Sequence, residues 1–147
     1  MAELLVVILA TATLTLAVTA LTIQVRHRIM VVTVTGDSMR PTYRPGDRIL
    51  VGRYDPSELK TGQVVVIERP SAHGGWPAAR PRWPGTSGDL MIKRVAALPG
   101  DTLTTGTVVP PGKLVVLGDN PAASLDSRQF GYCPVDQLLG IVIRRAR

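Results

Sequence analysis

Leu90-Met91-Ile92-Lys93-Arg94-Val95-Ala96-Ala97-Leu98-Pro99-Gly100-Asp101 is the stretch from which the fold of this chain is read. It opens as a short aliphatic run and stops at Pro-Gly-Asp, which turns the backbone and cannot continue a regular element. A run of about four to eight such residues closed by a turn signal reads as a β-strand. The unit recurs in both directions. Residues 29–34, 48–51, 63–68, 113–117 and 140–144 read as strands beside 90–95. Between them stand Pro45-Gly46-Asp47, Thr61-Gly62, Pro110-Pro111-Gly112 and Gly118-Asp119-Asn120. Residues 55–59 predict one helical turn, with Asp55 as its cap and Pro56 at its first position. Residues 71–88, rich in Gly, Pro and Trp and without periodicity, predict a long surface loop. The 14 Gly and 12 Pro among 147 residues agree with many turns and short strands.

The N-terminal stretch departs from this pattern. Residues 4–23 form a run of 20 without a charge. As a helix rising about 1.5 Å per residue it reaches about 30 Å, the thickness of a bilayer's hydrocarbon core. Thr11, Thr13, Thr15, Thr19 and Thr22 dilute its hydrophobicity, but a helix takes their hydroxyls back onto its own carbonyls. The competing reading is a cleaved secretory signal with Val18-Thr19-Ala20 as its small-residue site. Glu3, and the lack of Lys or Arg before the apolar run, argue for a retained anchor instead. The expected fold is mainly β: one N-terminal transmembrane helix (anchor, 1–28) followed by an all-β domain (29–147). Arg26 and Arg28 follow the span, and the positive-inside rule would place that end in the cytoplasm.

The net charge is +6, and of 17 Lys and Arg only Lys60, Lys93 and Lys113 are lysines. The arginines are scattered, with no basic stripe interleaved with aromatics, so nucleic acid is not an expected partner. A single cysteine, Cys133, excludes an internal disulfide. Cys133, His27 and His73 lie too far apart in sequence for paired zinc-ligand spacing, and no metal or cofactor is expected. Two histidines also leave little material for a Ser-His-Asp or Cys-His enzyme.

Two segments carry chemistry. In Gly36-Asp37-Ser38-Met39-Arg40-Pro41-Thr42, a strand ends near Gly36 and Pro41 blocks further pairing, so Ser38 stands at a strand-to-turn corner. Taken alone it reads first as an ordinary turn serine. In the opening stretch, period-two alternation puts Lys93 on the face of Met91 and Val95, and Arg94 on that of Leu90 and Ile92. One of these cations points the way apolar residues point. A lysine held there either snorkels to water on its long stem or loses hydration, and its pKa falls. A serine hydroxyl is a poor nucleophile until a base removes its proton. A neutral lysine can be that base, as in Ser-Lys variants of the catalytic triad, whereas arginine keeps its proton.

The first segment resembles the nucleophile box of the type I signal peptidases, and Ile92-Lys93-Arg94-Val95-Ala96-Ala97-Leu98-Pro99-Gly100-Asp101 resembles their general-base box. Gly118-Asp119-Asn120-Pro121-Ala122-Ala123-Ser124-Leu125-Asp126-Ser127-Arg128 is similar to their last signature. Residues 64–67 fit the strand box between nucleophile and base. The likeness spans about 30–143 in the family's order, with the anchor before it.

This resemblance implies a membrane-bound serine endopeptidase that removes N-terminal signal peptides from exported proteins. It implies Ser38 as nucleophile and Lys93 as general base, with Ser124 orienting the lysine amine. Asp126 and Arg128 become a structural ion pair behind the site. The oxyanion hole uses the Ser38 N–H; some members add a hydroxyl two residues earlier, where this chain has Gly36. Substrate is expected to lie extended between Thr33, Val34, Asp37 and Met39 on one side and Met91 and Ile92 on the other. Its partners are signal-peptide-bearing preproteins and the lipid bilayer. Gln63 and Ala97 depart from residues common in the family, and Cys133 reads as a buried small hydrophobe. The family's catalytic domain lies outside the cytoplasmic membrane, against the orientation that Arg26 and Arg28 suggest, and the family's orientation is adopted. Two alternatives stay open: a maturation protease dedicated to one secreted peptide or metalloprotein, and a tethered peptide-binding domain that does not cut. The oligomeric state is not legible.

Overall fold

The computed structural model describes residues 2–26, 29–71, 75–78 and 89–146. The predicted loop over 71–88 therefore lies mostly outside the described residues. Among the described residues seven antiparallel strands form one sheet: β1 (Ile29–Thr33), β2 (Arg48–Gly52), β3 (Val64–Glu68), β4 (Leu90–Ala97), β5 (Lys113–Leu117), β6 (Cys133–Pro134) and β7 (Leu138–Arg145). Their order in the sheet is β1-β2-β7-β3-β4-β5-β6. The chain is mainly β, and each strand read from the sequence is present within a few residues of its expected ends.

β3 explains the core. Val64, Val65, Val66 and Ile67 are all buried, so this strand covers apolar groups on both faces. Val65 and Ile67 pack with Met91, Val95, Leu114 and Val116 on one side. Val64 and Val66 pack with Val34, Met39, Ile49 and Ile92 on the other. A continuous β-branched run bounded by turn residues suits such a place. Register shifts interrupt the ladders at Leu50/Val51, Val66/Ile67 and Val95/Ala97. Such bulges bend strands and increase twist, and the sheet curls upon itself.

Among the elements that the sequence reading did not include are a short strand and a short helix. β6 is only two residues, held by pairing with Lys113 and Leu114. A one-turn helix, α2 (Ser127–Phe130), follows Asp126, whose carboxylate accepts from Arg128 N while Gln129 Oε1 accepts from Asp126 N. This reciprocal capping stabilises a turn too short to stand alone. The turn expected at 55–59 is a 3₁₀ turn over Pro56–Glu58, capped by Asp55.

The N-terminal helix, α1, runs over Ala2–Arg26, 25 residues. Thr11, Thr13, Thr15 and Thr19 donate their hydroxyls back to carbonyls one turn earlier, as anticipated. Leu4, Val6, Val7, Ile8, Leu9, Leu14, Leu16 and Val18 are each more than half exposed. The expected span over 4–23 is not established by this helix. Among the described residues no helix is long and apolar enough to cross a membrane.

Candidate active site

The site is assembled from four segments, beginning with β4. Lys93 pairs across the ladder with Val65 and is only 2% exposed, while Arg94 on the opposite face keeps access to water. Burial pushes the Lys93 amine down from 10.5 to about 8. The charge of Asp126 opposes this, and the Arg69 and Arg128 guanidiniums add to it. Desolvation is the larger effect because a charged amine on an apolar wall loses its hydration.

The second segment leaves β1. Val34 N donates to Asp47 O (2.8 Å), Gly46 N donates to Val34 O (2.8 Å), and the chain then turns through Ser38. Met39 is fully buried beneath the turn and anchors it in the core. Ser38 is half-buried. Among the described residues its backbone N–H has no partner, whereas its carbonyl accepts from Asn120 N at 2.9 Å.

The third segment, Gly118-Asp119-Asn120, locks the serine turn to β4. Asn120 Nδ2 donates to Asp37 O (3.2 Å). Arg94 grips Asp119 with two bonds, Nε to Oδ1 at 2.8 Å and Nη2 to Oδ2 at 2.6 Å, and Thr42 Oγ1 donates to Asp119 Oδ2. Arg94's hydrogen bonds hold the Asp119 carboxyl below the usual carboxylate range. Gly118 is needed for space. A Cβ there would lie 2.1 Å from Ser124 Oγ and 2.6 Å from the Ser38 carbonyl oxygen, closer than atoms pack.

The fourth segment lies behind the others. Asp126 is fully buried and accepts from Gly118 N (2.8 Å), Ser124 Oγ (2.6 Å), and Arg128 Nε (2.8 Å) and Nη2 (2.6 Å). Burial by itself would raise this carboxyl. The Arg128 bonds, then those from Gly118 and Ser124, outweigh it and hold the group well below the ordinary range. Because the Ser124 hydroxyl spends its proton on Asp126, its oxygen is left to accept an N–H from another donor.

Ser38 and Lys93 line one open cavity of about 450 Å³. Thr33, Val34, Gly36, Asp37, Met39, Met91 and Ile92 line it too. Ser124, Asp126 and Arg128 are not among its lining residues, although Ser124 lies in sequence between the lining residues Ala123 and Leu125. β5 pairs with β4 only from Arg94 onward, so among the described residues the backbone edge of Leu90, Met91 and Ile92 has no strand beside it on the cavity side. Arg69, Asp89, Ala123 and Leu125 line the cavity without having been singled out in the sequence. Arg69 and Asp89 flank the poorly patterned 71–88 stretch and carried no signal. The Arg94–Asp119–Thr42 network did carry one, since Arg94 alternates with Lys93 and needs a partner. Among the described residues no group of three or more His, Cys, Asp or Glu could hold a metal ion.

The profile of the family described as signal peptidase, peptidase S26 matches residues 3–107 and 102–146. The chain is 28% identical over 156 aligned positions to signal peptidase IB of Staphylococcus aureus strain Mu50, covering 75% of this chain and 73% of that protein. It is 30% identical over 135 positions to mitochondrial inner membrane protease subunit 1 of Schizosaccharomyces pombe, covering 83% of this chain and 76% of that protein.

Proposed function

Since the chain belongs to the signal peptidase S26 family, we propose that it is a membrane-anchored serine endopeptidase that removes N-terminal signal peptides, with Ser38 as nucleophile and Lys93 as general base. The observation that carries this reading is Lys93: an amine 2% exposed, lowered to about 8, on the wall of the cavity that also holds Ser38. In water almost no lysine is neutral at physiological pH. Here about a tenth is, by the ordinary titration relation for a group near 8.

In the first step neutral Lys93 takes the Ser38 Oγ proton as the oxygen attacks the scissile carbonyl carbon. The resulting oxyanion accepts from the Ser38 N–H, which has no other described partner. Gly36 supplies no hydroxyl there, so the hole relies on the backbone. The tetrahedral intermediate collapses, the Lys93 ammonium gives its proton to the leaving amine, and an acyl-serine remains. Lys93 then deprotonates water, which attacks the ester, and the proton returns to Ser38 Oγ. Ser124 accepts a Lys93 N–H and aims the amine. Asp126, itself oriented by Arg128 and Gly118, fixes the Ser124 hydroxyl.

Substrate lies extended between the 33–37 segment and the open edge of Leu90, Met91 and Ile92, adding a strand by backbone pairing. The exposed apolar surface of α1 lies in the bilayer, with the β domain on the extracytoplasmic side, where exported preproteins emerge.

The test is cleavage of a panel of signal-peptide-bearing preproteins by the purified full chain in detergent. The wild-type protein is expected to cut, and Ser38→Ala and Lys93→Arg to be inactive while still folded. Cleavage by Lys93→Arg would remove the general base from the mechanism, since a guanidinium does not release its proton.

A further inference from the structure

We propose that Arg69, at the open end of the β3–β4 ladder, is a specificity-determining residue that receives an acidic side chain of the extended substrate. This rests on the peptidase reading above and adds to it a substrate preference that the catalytic pair does not supply.

Backbone pairing sets the position of Arg69. β3 and β4 pair up to Glu68 and Leu90, and one further bond, Arg69 N to Asp89 O at 2.8 Å, carries the ladder past the end of both strands. Arg69 is thereby held at the cavity's margin by main chain, while its side chain stays 51% exposed.

Among the described residues four charged side chains line the cavity: Asp37, Arg69, Asp89 and Lys93. Asp37 is engaged by Arg40 at 2.7 Å. Lys93 is buried. Asp89 is 85% exposed, and its carboxylate is 3.9 Å from Arg69 Nε, beyond hydrogen-bonding reach. Among the described residues, Arg69 is thus the accessible cation of the cavity, and its five N–H donors meet only this loose contact. Val32, Val34, Leu90 and Ile92 give the lining an apolar part beside the hydroxyls of Thr33, Thr35 and Ser38. A guanidinium presented over such a surface grips a carboxylate with two parallel bonds, better than either group is held in open water.

Asp89, across the ladder from Arg69, precedes Lys93 by four residues, roughly 13 Å of extended chain. A substrate strand paired along the free edge of β4 therefore brings a side chain about four or five residues from the scissile bond to the part of the cavity that Arg69 lines. Arg69 also helps lower the Lys93 amine, in keeping with its place on the same cavity.

The experiment compares kcat/KM for matched peptides carrying Glu, Gln or Lys at successive positions on the amino-terminal side of the cut, using the full chain in detergent. At one position the wild-type protein is expected to favour Glu over Gln about fivefold, mostly through KM, and to lose the preference at high salt. Arg69→Gln should bring the ratio to about one, and Arg69→Glu should turn the preference to Lys. A wild-type ratio of one at every position, a wild-type preference for Lys, or a Glu preference that survives in both variants would overturn the assignment while leaving the peptidase reading intact. Failure of the wild-type protein to cut any peptide would overturn both.

Discussion

Replacing Lys93 by methionine should stabilise this protein and abolish its activity, with a stability gain that depends on pH. The folded amine lies at about 8 against 10.5 for an ordinary lysine. At about 1.36 kcal/mol per pH unit, that gap is worth at most about 3 kcal/mol. The sign follows from which state binds the proton. Above 10.5 the amine is neutral in both states and there is no penalty. As pH falls from 10.5 toward 8 the unfolded chain takes up a proton that the folded one refuses, and the folded state loses ground. Below 8 the penalty is complete. Methionine is unbranched, similar in length and uncharged in both states, so it fills the slot beside Met91 and Val95 without this cost. The charged groups facing the amine, namely Asp126, Arg69 and Arg128, are present in both proteins, so a comparison at two pH values isolates the amine. The advantage of Lys93→Met over wild type should be about 3 kcal/mol greater at pH 7 than at pH 10.5. That corresponds to roughly 6–12 °C in Tm for a chain of this size. Thermal or urea unfolding of both proteins in one detergent reads it directly. A stability difference unchanged between the two pH values would mean a solvated Lys93 of ordinary basicity, and the general-base mechanism would lose its physical ground.

Gly118→Ala should lower kcat/KM about a hundredfold or more and destabilise the fold by about 1–3 kcal/mol, since the new Cβ meets Ser124 Oγ and the Ser38 carbonyl; unimpaired cleavage would show that the turn can move aside. Ser124→Ala should cut the rate about 10- to 100-fold, the scale of about 1.5–3 kcal/mol for a hydrogen bond to a charged group, and wild-type kinetics would take Ser124 out of the site. For the topology, Val108→Cys offers a thiol at a site 54% exposed, whereas Cys133 is buried and its thiol is pushed up to about 12. A membrane-impermeant maleimide added to spheroplasts should label the variant and not the parent; labelling only after lysis would place the domain in the cytoplasm.

Much of the architecture is local chemistry and was legible in the residues. Aliphatic runs closed by Pro-Gly and Gly-Asp turns become strands wherever they fall, and β3, β4 and β5 begin and end close to where those signals stand. β6 and α2 escaped notice because neither has enough residues to make a pattern. Cys133 and Pro134 are strand only because Leu114 and Lys113 lie across from them. At the site, alternation along β4 already required one of Lys93 and Arg94 to turn inward. Which one did so was decided by what lies opposite: Val65, Met91 and Val95 on one side, and on the other an aspartate, Asp119, able to satisfy a guanidinium. That Ser38 and Lys93 line one cavity is a tertiary matter altogether. Three strands separate β1 from β4 in the sheet, about 19 Å if it lay flat. The two residues share a cavity because bulges curl the sheet and Asn120 ties the serine turn down. Side-chain type and spacing are carried by neighbours in sequence, whereas curl, close approach at a glycine and the dryness around an amine come from atoms far apart in the chain.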